Sequence, residues 1–346
     1  MRSHLRTILV LALVAGLLAL FLYNVDLWRV VTAILRARPL WLALSLFTMF
    51  VNLAIRAWRW QFLLEPLGRT TFAEAFRATA VGFAATSILP ARAGELIRPY
   101  FLARTQKHHD RLTATGAFAT IILERLLDSI TVLMLLASFV FVFGREHGLS
   151  NSVAFTVVKW AGALAAVASG GVLVILFVLA GDPSRLGRAV ARLDQVVPSA
   201  VAALIAKIAE KFALGLGAIR RPGRLLLALA LSFPLWLSIC LGIWAVTMAF
   251  GLDVPFTGSF LLLSILVLGV TVPTPGAVGG FHEAVRVGAT VFFGAPDDLA
   301  VAAAILLHLF SIGPSLLLGL IFAAQAGLNV HGMRRMADQA QQRHTA

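Results

Sequence analysis

Two stretches of this sequence decide its fold: LPARAGELIRPYFLAR at residues 89–104 and VPTPGAVGGFHEAVR at residues 272–286. Each has a proline after an apolar residue, then small residues and glycine, and then the pattern Glu-x-x-Arg. Proline removes a backbone hydrogen-bond donor and glycine relaxes a helix, so both stretches predict a break between two short helices. The helix-breaking residues are Pro90, Pro273, Pro275 and Gly276.

The composition around these breaks is that of an integral membrane protein. Of the 346 residues, 60% are hydrophobic and 13% are charged, whereas a soluble domain is about half apolar and a quarter charged. The mean hydropathy of +0.90 excludes a soluble single-core protein, and the composition also excludes a disordered chain. The single cysteine, Cys240, excludes a disulfide scaffold. We therefore expect an all-α, polytopic membrane protein.

Long apolar runs predict where the chain crosses the bilayer. A span needs about 20 apolar residues, and we assign six full spans, at 5–23, 40–64, 113–143, 153–180, 224–250 and 299–325. Shorter runs at 72–89, 256–272 and 281–293 flank the two breaks. Non-helical backbone at membrane depth is tolerated only where protein or water surrounds it. The sequence therefore predicts two oppositely oriented re-entrant hairpins, at 72–104 and 256–293, in an inverted-repeat-like core.

The charge distribution indicates orientation and divides the chain. Lys and Arg number 29 against 16 Asp and Glu, giving a net charge of +13. In a membrane protein such an excess marks cytoplasmic loops rather than a nucleic-acid partner, and it predicts that both termini are cytoplasmic. We assign an N-terminal membrane half (1–182), a basic linker (183–223) and a C-terminal membrane half (224–346). The linker is either amphipathic and bound to the anionic leaflet or a plain connection.

Two N-terminal stretches, residues 5–23 and 24–39, do not follow the simple pattern of spans and charged loops. Residues 5–23 resemble a signal peptide, but the run is long and has no small-x-small cleavage site, so we expect an uncleaved span. Residues 24–39 place Arg29, Arg36 and Arg38 on the predicted outer side, against the general charge pattern. We interpret this stretch as an interfacial helix. By contrast, Arg56 and Arg59 are counted with the inner positive charges, and Arg56 is expected to reach the inner interface.

Ionisable residues accumulate in the predicted membrane segments. ERLLD at 124–128 places two acids one turn apart, and the two breaks add others. The full set comprises Glu95, Glu124, Asp128, Glu283, Arg92, Arg98, Arg125 and Arg286. One such charge at the bilayer centre costs about 2.5–3.5 kcal/mol, so all of them unpaired would cost roughly 20–28 kcal/mol. They must pair, approach an interface or line water, as a functional site or as a structural network.

The two Glu-x-x-Arg patterns are either a repeat or a coincidence, since this spacing is common in helices. If they are a repeat, the helix N-termini after the breaks would favour an anion. Gly94, Gly279 and Gly280 then let a ligand approach the backbone, or else they serve helix packing. His282 either relays protons or contacts a headgroup, or it makes an ordinary hydrogen bond.

The sequence contains no signature of a soluble enzyme. It lacks G-x-x-x-x-G-K-[ST], G-x-S-x-G and H-E-x-x-H, and no G-x-G-x-x-G opens a helix. His108 and His109 have no further residues at metal-ligand spacing. We expect no metal, no cofactor and no catalytic activity.

Four motifs in this order resemble the lysylphosphatidylglycerol synthase transmembrane-region family, also called the flippase-like or UPF0104 family: RAWRW at 56–60, the first break, ERLLD and the second break. The resemblance covers about residues 5–325 and implies a multi-pass protein of the bacterial inner membrane. In fused members this region is implicated in flipping aminoacylated phosphatidylglycerol, and a C-terminal domain makes that lipid. The present chain resembles stand-alone members, some linked to hopanoid or polyprenyl-linked sugar pathways.

The leading hypothesis is a lipid translocase for an anionic or glycosylated headgroup. Arg92, Arg98 and Arg286 would bind phosphate where the hairpins meet, and the acids would balance them. The absence of a nucleotide motif indicates downhill or gradient-coupled movement. The alternative is a non-transporting subunit that binds lipid and organises lipid-synthesis enzymes, and an intramembrane enzyme is a third possibility. The expected partners are a membrane lipid and a lipid-synthesis enzyme.

Overall fold

The computed structural model describes residues 25–89, 94–105, 112–143, 153–181, 222–271 and 274–328, with a few residues between 15 and 22. Every regular element in these ranges is helical, which confirms the predicted all-α class. Most of the predicted span at 5–23, nearly all of the linker at 183–223 and the C-terminal tail lie outside the described residues.

The described helices follow the predicted apolar runs closely. They are α1 (Leu27–Arg36), α2 (Pro39–Leu64), α3 (Phe72–Ile88), α4 (Gly94–Thr105), α5 (Ala114–Ser138), α6 (Val153–Gly181), α7 (Pro222–Ala249), α8 (Gly258–Gly269), α9 (Gly280–Phe293) and α10 (Asp297–Gln325). Short 3₁₀ turns lie at Glu65–Leu67 and Pro275–Ala277, and a π-helical turn at Phe139–Phe143 extends α5.

Three segments within the described ranges are long and apolar enough to cross a bilayer. They are Pro39–Leu67, Gly223–Ala249 and Asp297–Gln325, whose mean hydropathy lies between 1.7 and 2.2. Each exceeds the length of about 20 residues that a hydrocarbon core of ~30 Å requires. The chain is therefore a membrane protein with helical spans.

Local sequence signals explain where several helices begin. The Asp26 carboxylate accepts hydrogen bonds from the backbone N–H groups of Trp28 and Arg29, which caps α1. At the start of α3, Thr71 and Glu74 form a reciprocal capping box. These caps satisfy backbone donors that have no partner inside the helix.

Helix α1 is strongly amphipathic. It buries Val30, whereas Trp28 and Leu35 are 78% and 81% exposed. Its arginine Arg29 lies on the polar side, near Asp26 and Asp298. Large exposed apolar residues beside arginines are typical of a helix lying in a membrane interface.

Glycines allow the helices flanking each break to pack closely. A Cβ on Gly94 of α4 would collide with the backbone oxygen of Gly82 and the hydroxyl of Thr86 on α3. In the second pair, a Cβ on Gly269 of α8 would collide with Gly280 and Ala284 of α9. Both pairs are therefore antiparallel hairpins held together by small residues, as close helix packing in membranes requires.

The two hairpins meet near their breaks. A Cβ on Gly276 would lie 3.5 Å from the carbonyl oxygen of Ser87, just before the first break. Helix α10 packs along α3 of the first hairpin and also contacts α9 of the second hairpin. The two stretches that interrupt the helices are thus neighbours in space, although almost 200 residues separate them in the chain.

Candidate functional site

A cavity of about 250 Å³ lies between the two breaks. Its lining comes from α3, α4 and α5, from residues 270–277 and from α10. The charged lining residues are Glu95, Arg98 and Arg125, and the hydroxyl-bearing ones are Thr79, Thr86, Ser87, Thr274, Ser311 and Ser315. Both halves of the chain therefore contribute to one cavity whose lining combines apolar surface with charged and hydroxyl-bearing side chains.

A buried network of ion pairs supports the cavity from behind. Arg98 donates to Glu124 over 2.6 Å, and Arg59 contacts Glu124 over 3.4 Å and Asp128 over 2.7 Å. Arg56 reaches the second oxygen of Asp128 at 3.2 Å. None of these side chains is more than 6% exposed. The charges are thus paired across α2, α4 and α5, as their burial requires.

Helix α7 completes the same network with neutral partners. Arg59 donates to the hydroxyl of Ser232 over 2.6 Å, and the indole N–H of Trp236 donates to Asp128 over 3.0 Å. These bonds use atoms that also form an ion pair, since Arg59 Nη1 contacts Asp128 Oδ1 and the same oxygen accepts from Trp236. The network therefore links four helices.

Arg98 contacts Trp60 and Glu124, and two of its nitrogen donors have no hydrogen-bond partner among the described residues. Its guanidinium lies 3.8 Å from the ring centre of Trp60, which itself donates to Thr120. Only Nη1 is engaged, by Glu124, whereas Nε and Nη2 are buried and have no hydrogen-bond partner among the described residues. An unmatched buried donor costs about 1–3 kcal/mol, and more for a charged group. Because Arg98 lines the cavity, a ligand there could satisfy these donors.

Arg125 and Glu95 form the more exposed rim of the cavity. Arg125 Nε lies 3.6 Å from the carboxylate of Glu95, and their side chains are 39% and 31% exposed. Arg125 also approaches Asp128 at 3.8 Å. We name these residues and the buried network the charged cluster: Arg56, Arg59, Arg98, Arg125, Glu95, Glu124 and Asp128. It contains four arginines and three carboxylates, so its net charge is +1.

Arg286 lies elsewhere. Its Nε and Nη2 donate to both carboxylate oxygens of Asp297 over 2.7 and 2.9 Å, and Nη1 donates to the carbonyl oxygen of Phe21 over 3.1 Å. Glu283 is 3.6 Å away on the same helix. Neither Arg286 nor Glu283 lines the cavity. The expected meeting of Arg98 and Arg286 at one phosphate is therefore not the arrangement found, because the first turn of α10 offers Arg286 a bidentate partner.

Two histidines fix the backbone of the second break. His308 Nε2 lies 2.8 Å from the carbonyl oxygen of Gly276, and His282 Nδ1 accepts from the N–H of Gly279 over 3.3 Å. Their rings are in contact, with centres 4.3 Å apart and a tilt of 41° between the ring planes. Both glycines have positive φ, +60° and +88° respectively, which favours glycine. His282 thus makes a hydrogen bond to the backbone here, and the backbone of Gly280 lies against Gly269 of α8.

Sequence reasoning missed Arg56 and Arg59. The expectation that Arg56 reaches the inner interface is wrong, because it is 4% exposed and paired with Asp128. The signal was present in RAWRW: two arginines three residues apart share a helix face, as do acids four residues apart in ERLLD. Matching the two faces would have required knowing that α2 packs against α5.

Some predicted residues lie outside the described ranges. Pro90 and Arg92 of the first break and Pro273 of the second belong to this group. Pro275 is described and opens the 3₁₀ turn at the second break. Within the described part of the chain, no group of three or more His, Cys, Asp or Glu residues is placed to hold a metal ion.

Comparison with known proteins identifies the region that contains this site. The family model described as lysylphosphatidylglycerol synthase TM region matches residues 7–319. A search of curated proteins finds no match. The matched range includes both breaks and the entire charged cluster.

Proposed function

Since the chain belongs to the family of lysylphosphatidylglycerol synthase transmembrane regions, we propose that it is a membrane lipid translocase. It would move an anionic or glycosylated headgroup through the cavity between the two hairpins. The observation that carries this proposal is Arg98, a buried arginine on the cavity lining whose Nε and Nη2 have no partner among the described atoms.

The proposed topology has six full spans and two re-entrant hairpins entering from opposite sides. The short hairpin helices, of 12 to 17 residues, support this arrangement because most are below the length of a full span. We place the protein in the bacterial inner membrane with both termini in the cytoplasm. The excess of Lys and Arg in the predicted inner segments supports that orientation.

The cavity is suited to a headgroup rather than to a whole lipid. Its volume of about 250 Å³ is below the ~300–1,000 Å³ of sites for drug-sized ligands. The acyl chains would stay in the bilayer while the headgroup passes the polar lining. Because the lining comes from both hairpins, a movement of one against the other would change its opening, as in transporters with broken helices.

A reconstitution experiment tests the transport proposal. Purified protein in liposomes should move a headgroup-labelled anionic lipid between leaflets faster than empty liposomes do. Arg98→Gln should slow this by roughly 10–100-fold, because a hydrogen bond to a charged group is worth about 1.5–3 kcal/mol. The matched control is Arg29→Gln, since Arg29 is 74% exposed and remote from the cavity.

Two outcomes of this experiment would contradict the proposal, one for transport itself and one for the site. Wild type that scrambles no faster than empty liposomes contradicts the translocase proposal. Equal rates for wild type and a correctly folded Arg98→Gln variant contradict the assigned site. The lipid should also be recovered with unchanged mass, because we propose transport without catalysis.

The alternative function is a lipid-binding subunit that organises lipid-synthesis enzymes without transport. The extent of pairing favours it, since Arg59, Glu124 and Asp128 form ion pairs and hydrogen bonds that hold helices together. Under this proposal, neutralising the cavity charges leaves partner binding intact. Co-purification of a synthase with both wild type and Arg98→Gln would favour the subunit role.

A further inference from the structure

We propose that the cavity selects a lipid whose headgroup carries one phosphodiester charge, free hydroxyl groups and no cation. The inference rests on the proposed function only in assuming that the ligand is a lipid. It names a substrate class that differs from the lysine-bearing lipid after which the family is named. The observations behind it are the charge of the cluster, the free donors of Arg98 and the orientation of the hydroxyl groups.

The charge balance of the cluster favours a singly negative ligand. Four arginines face three carboxylates, so one positive charge remains without a counter-charge in the cluster. In an environment of low dielectric constant, an unbalanced charge is costly and a single phosphodiester would neutralise it. A neutral glycolipid leaves it unbalanced. A lysyl headgroup brings further positive charge.

The unpaired nitrogen donors of two arginines indicate where the phosphate would bind. Arg98 Nε and Nη2 have no hydrogen-bond partner among the described atoms, and the same holds for Arg125 Nε. Both arginines line the cavity. Phosphate oxygens accept several hydrogen bonds and fit the planar fork of a guanidinium. Trp60 and Glu124 hold Arg98 in place before any ligand arrives.

The hydroxyl groups of the lining present acceptors to the ligand. Five of the six hydroxyl-bearing lining residues donate their proton to a backbone carbonyl at 2.7–3.0 Å: Thr79, Thr86, Ser87, Thr274 and Ser315. A hydroxyl has one proton and two lone pairs, so lone pairs remain for a ligand. A choline-phosphate headgroup has only phosphate oxygens and methyl groups, so it cannot donate a hydrogen bond to these lone pairs. The hydroxyl groups of glycerol or a sugar can donate to them. The lining therefore complements a hydroxylated headgroup.

The volume is consistent with a small headgroup of this kind. A cavity of about 250 Å³ corresponds to roughly eight water molecules at their liquid volume of ~30 Å³. Glycerophosphate fills a space of this order. A headgroup of several sugars would extend beyond it.

Binding measurements on the full chain in detergent test this proposal independently of transport. Native mass spectrometry would compare lipids of identical acyl chains with glycerol-phosphate, choline-phosphate, lysyl-glycerol-phosphate and neutral glycosyl headgroups. The glycerol-phosphate lipid should bind about tenfold more tightly than each of the others, since it alone matches both charge and hydroxyls. Glycerophosphoglycerol, the water-soluble diester with the same headgroup, should compete with it, which separates headgroup recognition from partitioning of the acyl chains.

Serine variants test the role of the hydroxyls. Ser87→Ala combined with Ser315→Ala should reduce the preference for the glycerol-phosphate over the choline-phosphate lipid severalfold. The matched control is Ser138→Ala, because Ser138 makes the same type of bond to Met134 but is exposed and outside the cavity. Each substitution removes one oxygen atom, so folding should be preserved in all three proteins.

The outcomes separate this inference from the proposed function. Equal affinity for the glycerol-phosphate and choline-phosphate lipids, or an unchanged preference in the double variant, overturns the inference even if transport occurs. Selective binding without transport in liposomes supports the inference and contradicts only the translocase proposal.

Discussion

Arg59 illustrates how this protein stabilises charge inside an apolar environment. The side chain is fully buried, and its two nitrogen atoms contact Glu124, Asp128 and Ser232 on two other helices. Arg59 Nε and two donors of Arg98 are unpaired among the described atoms, and Arg98 differs because it lines the cavity. At the residue scale, an arginine whose terminal nitrogens hold other helices is suited to a structural role, whereas unpaired donors on a cavity lining support the proposed binding role.

Removing the charge of Arg59 should destabilise the protein severely. Arg59→Met keeps an apolar chain of similar length but leaves two buried carboxylates short of a partner, at a cost of about 3–5 kcal/mol. The thermal unfolding midpoint in detergent should fall well below that of wild type. Arg29→Met is the control and should be nearly neutral, since Arg29 is mostly exposed. Equal midpoints for wild type and Arg59→Met would disprove the assigned network.

The sequence was sufficient to identify Glu124 and Asp128 as buried acids. It was not sufficient to identify Arg56 and Arg59 as their partners. Glu124 and Asp128 stand out because carboxylates are rare in apolar runs. Arg56 and Arg59 lie nearer to a helix end, where arginines commonly extend to the interface. Their true environment depends on the contact between α2 and α5, which no local pattern specifies.

At the scale of elements, the helix boundaries were predictable because the bilayer sets the length of apolar runs. The start of α2 at Pro39 and the end of α3 at Ile88 agree with the predicted runs at 40–64 and 72–89 to within one residue. Both breaks were predictable because proline and glycine have specific backbone effects. The pairing of Arg286 with Asp297 was not predictable, since the two residues lie on different helices and no local pattern specifies their contact.

The bond between Arg286 and Asp297 should stabilise the junction of α9 and α10. Asp297→Asn removes the charge of a bidentate pair, and the expected loss is about 1 kcal/mol because Asp297 is 42% exposed. Chemical denaturation in detergent would measure it. The control is Asp298→Asn, whose partner Arg29 is 3.7 Å away and largely exposed. A larger loss for Asp298→Asn than for Asp297→Asn would refute this assignment.

For the whole molecule, the cavity is a product of long-range packing. It forms because α10 packs along α3 and because Gly276 approaches Ser87. The repeated sequence pattern predicted that the two breaks belong together, but it gave no information on which charges would share the cavity. As a result, Arg98 and Arg125 line it, while Glu283 and Arg286 form a separate group.

We propose that a lipid headgroup occupies the cavity between the two breaks, next to Arg98. The most direct measurement is photolabelling in proteoliposomes with an anionic lipid that carries a photoreactive headgroup, followed by mass spectrometry of the peptides. We predict label on residues 79–98 and on residues 270–277, with a strong decrease in Arg98→Gln. Label confined to the lipid-facing helices, and unchanged in Arg98→Gln, would contradict the account.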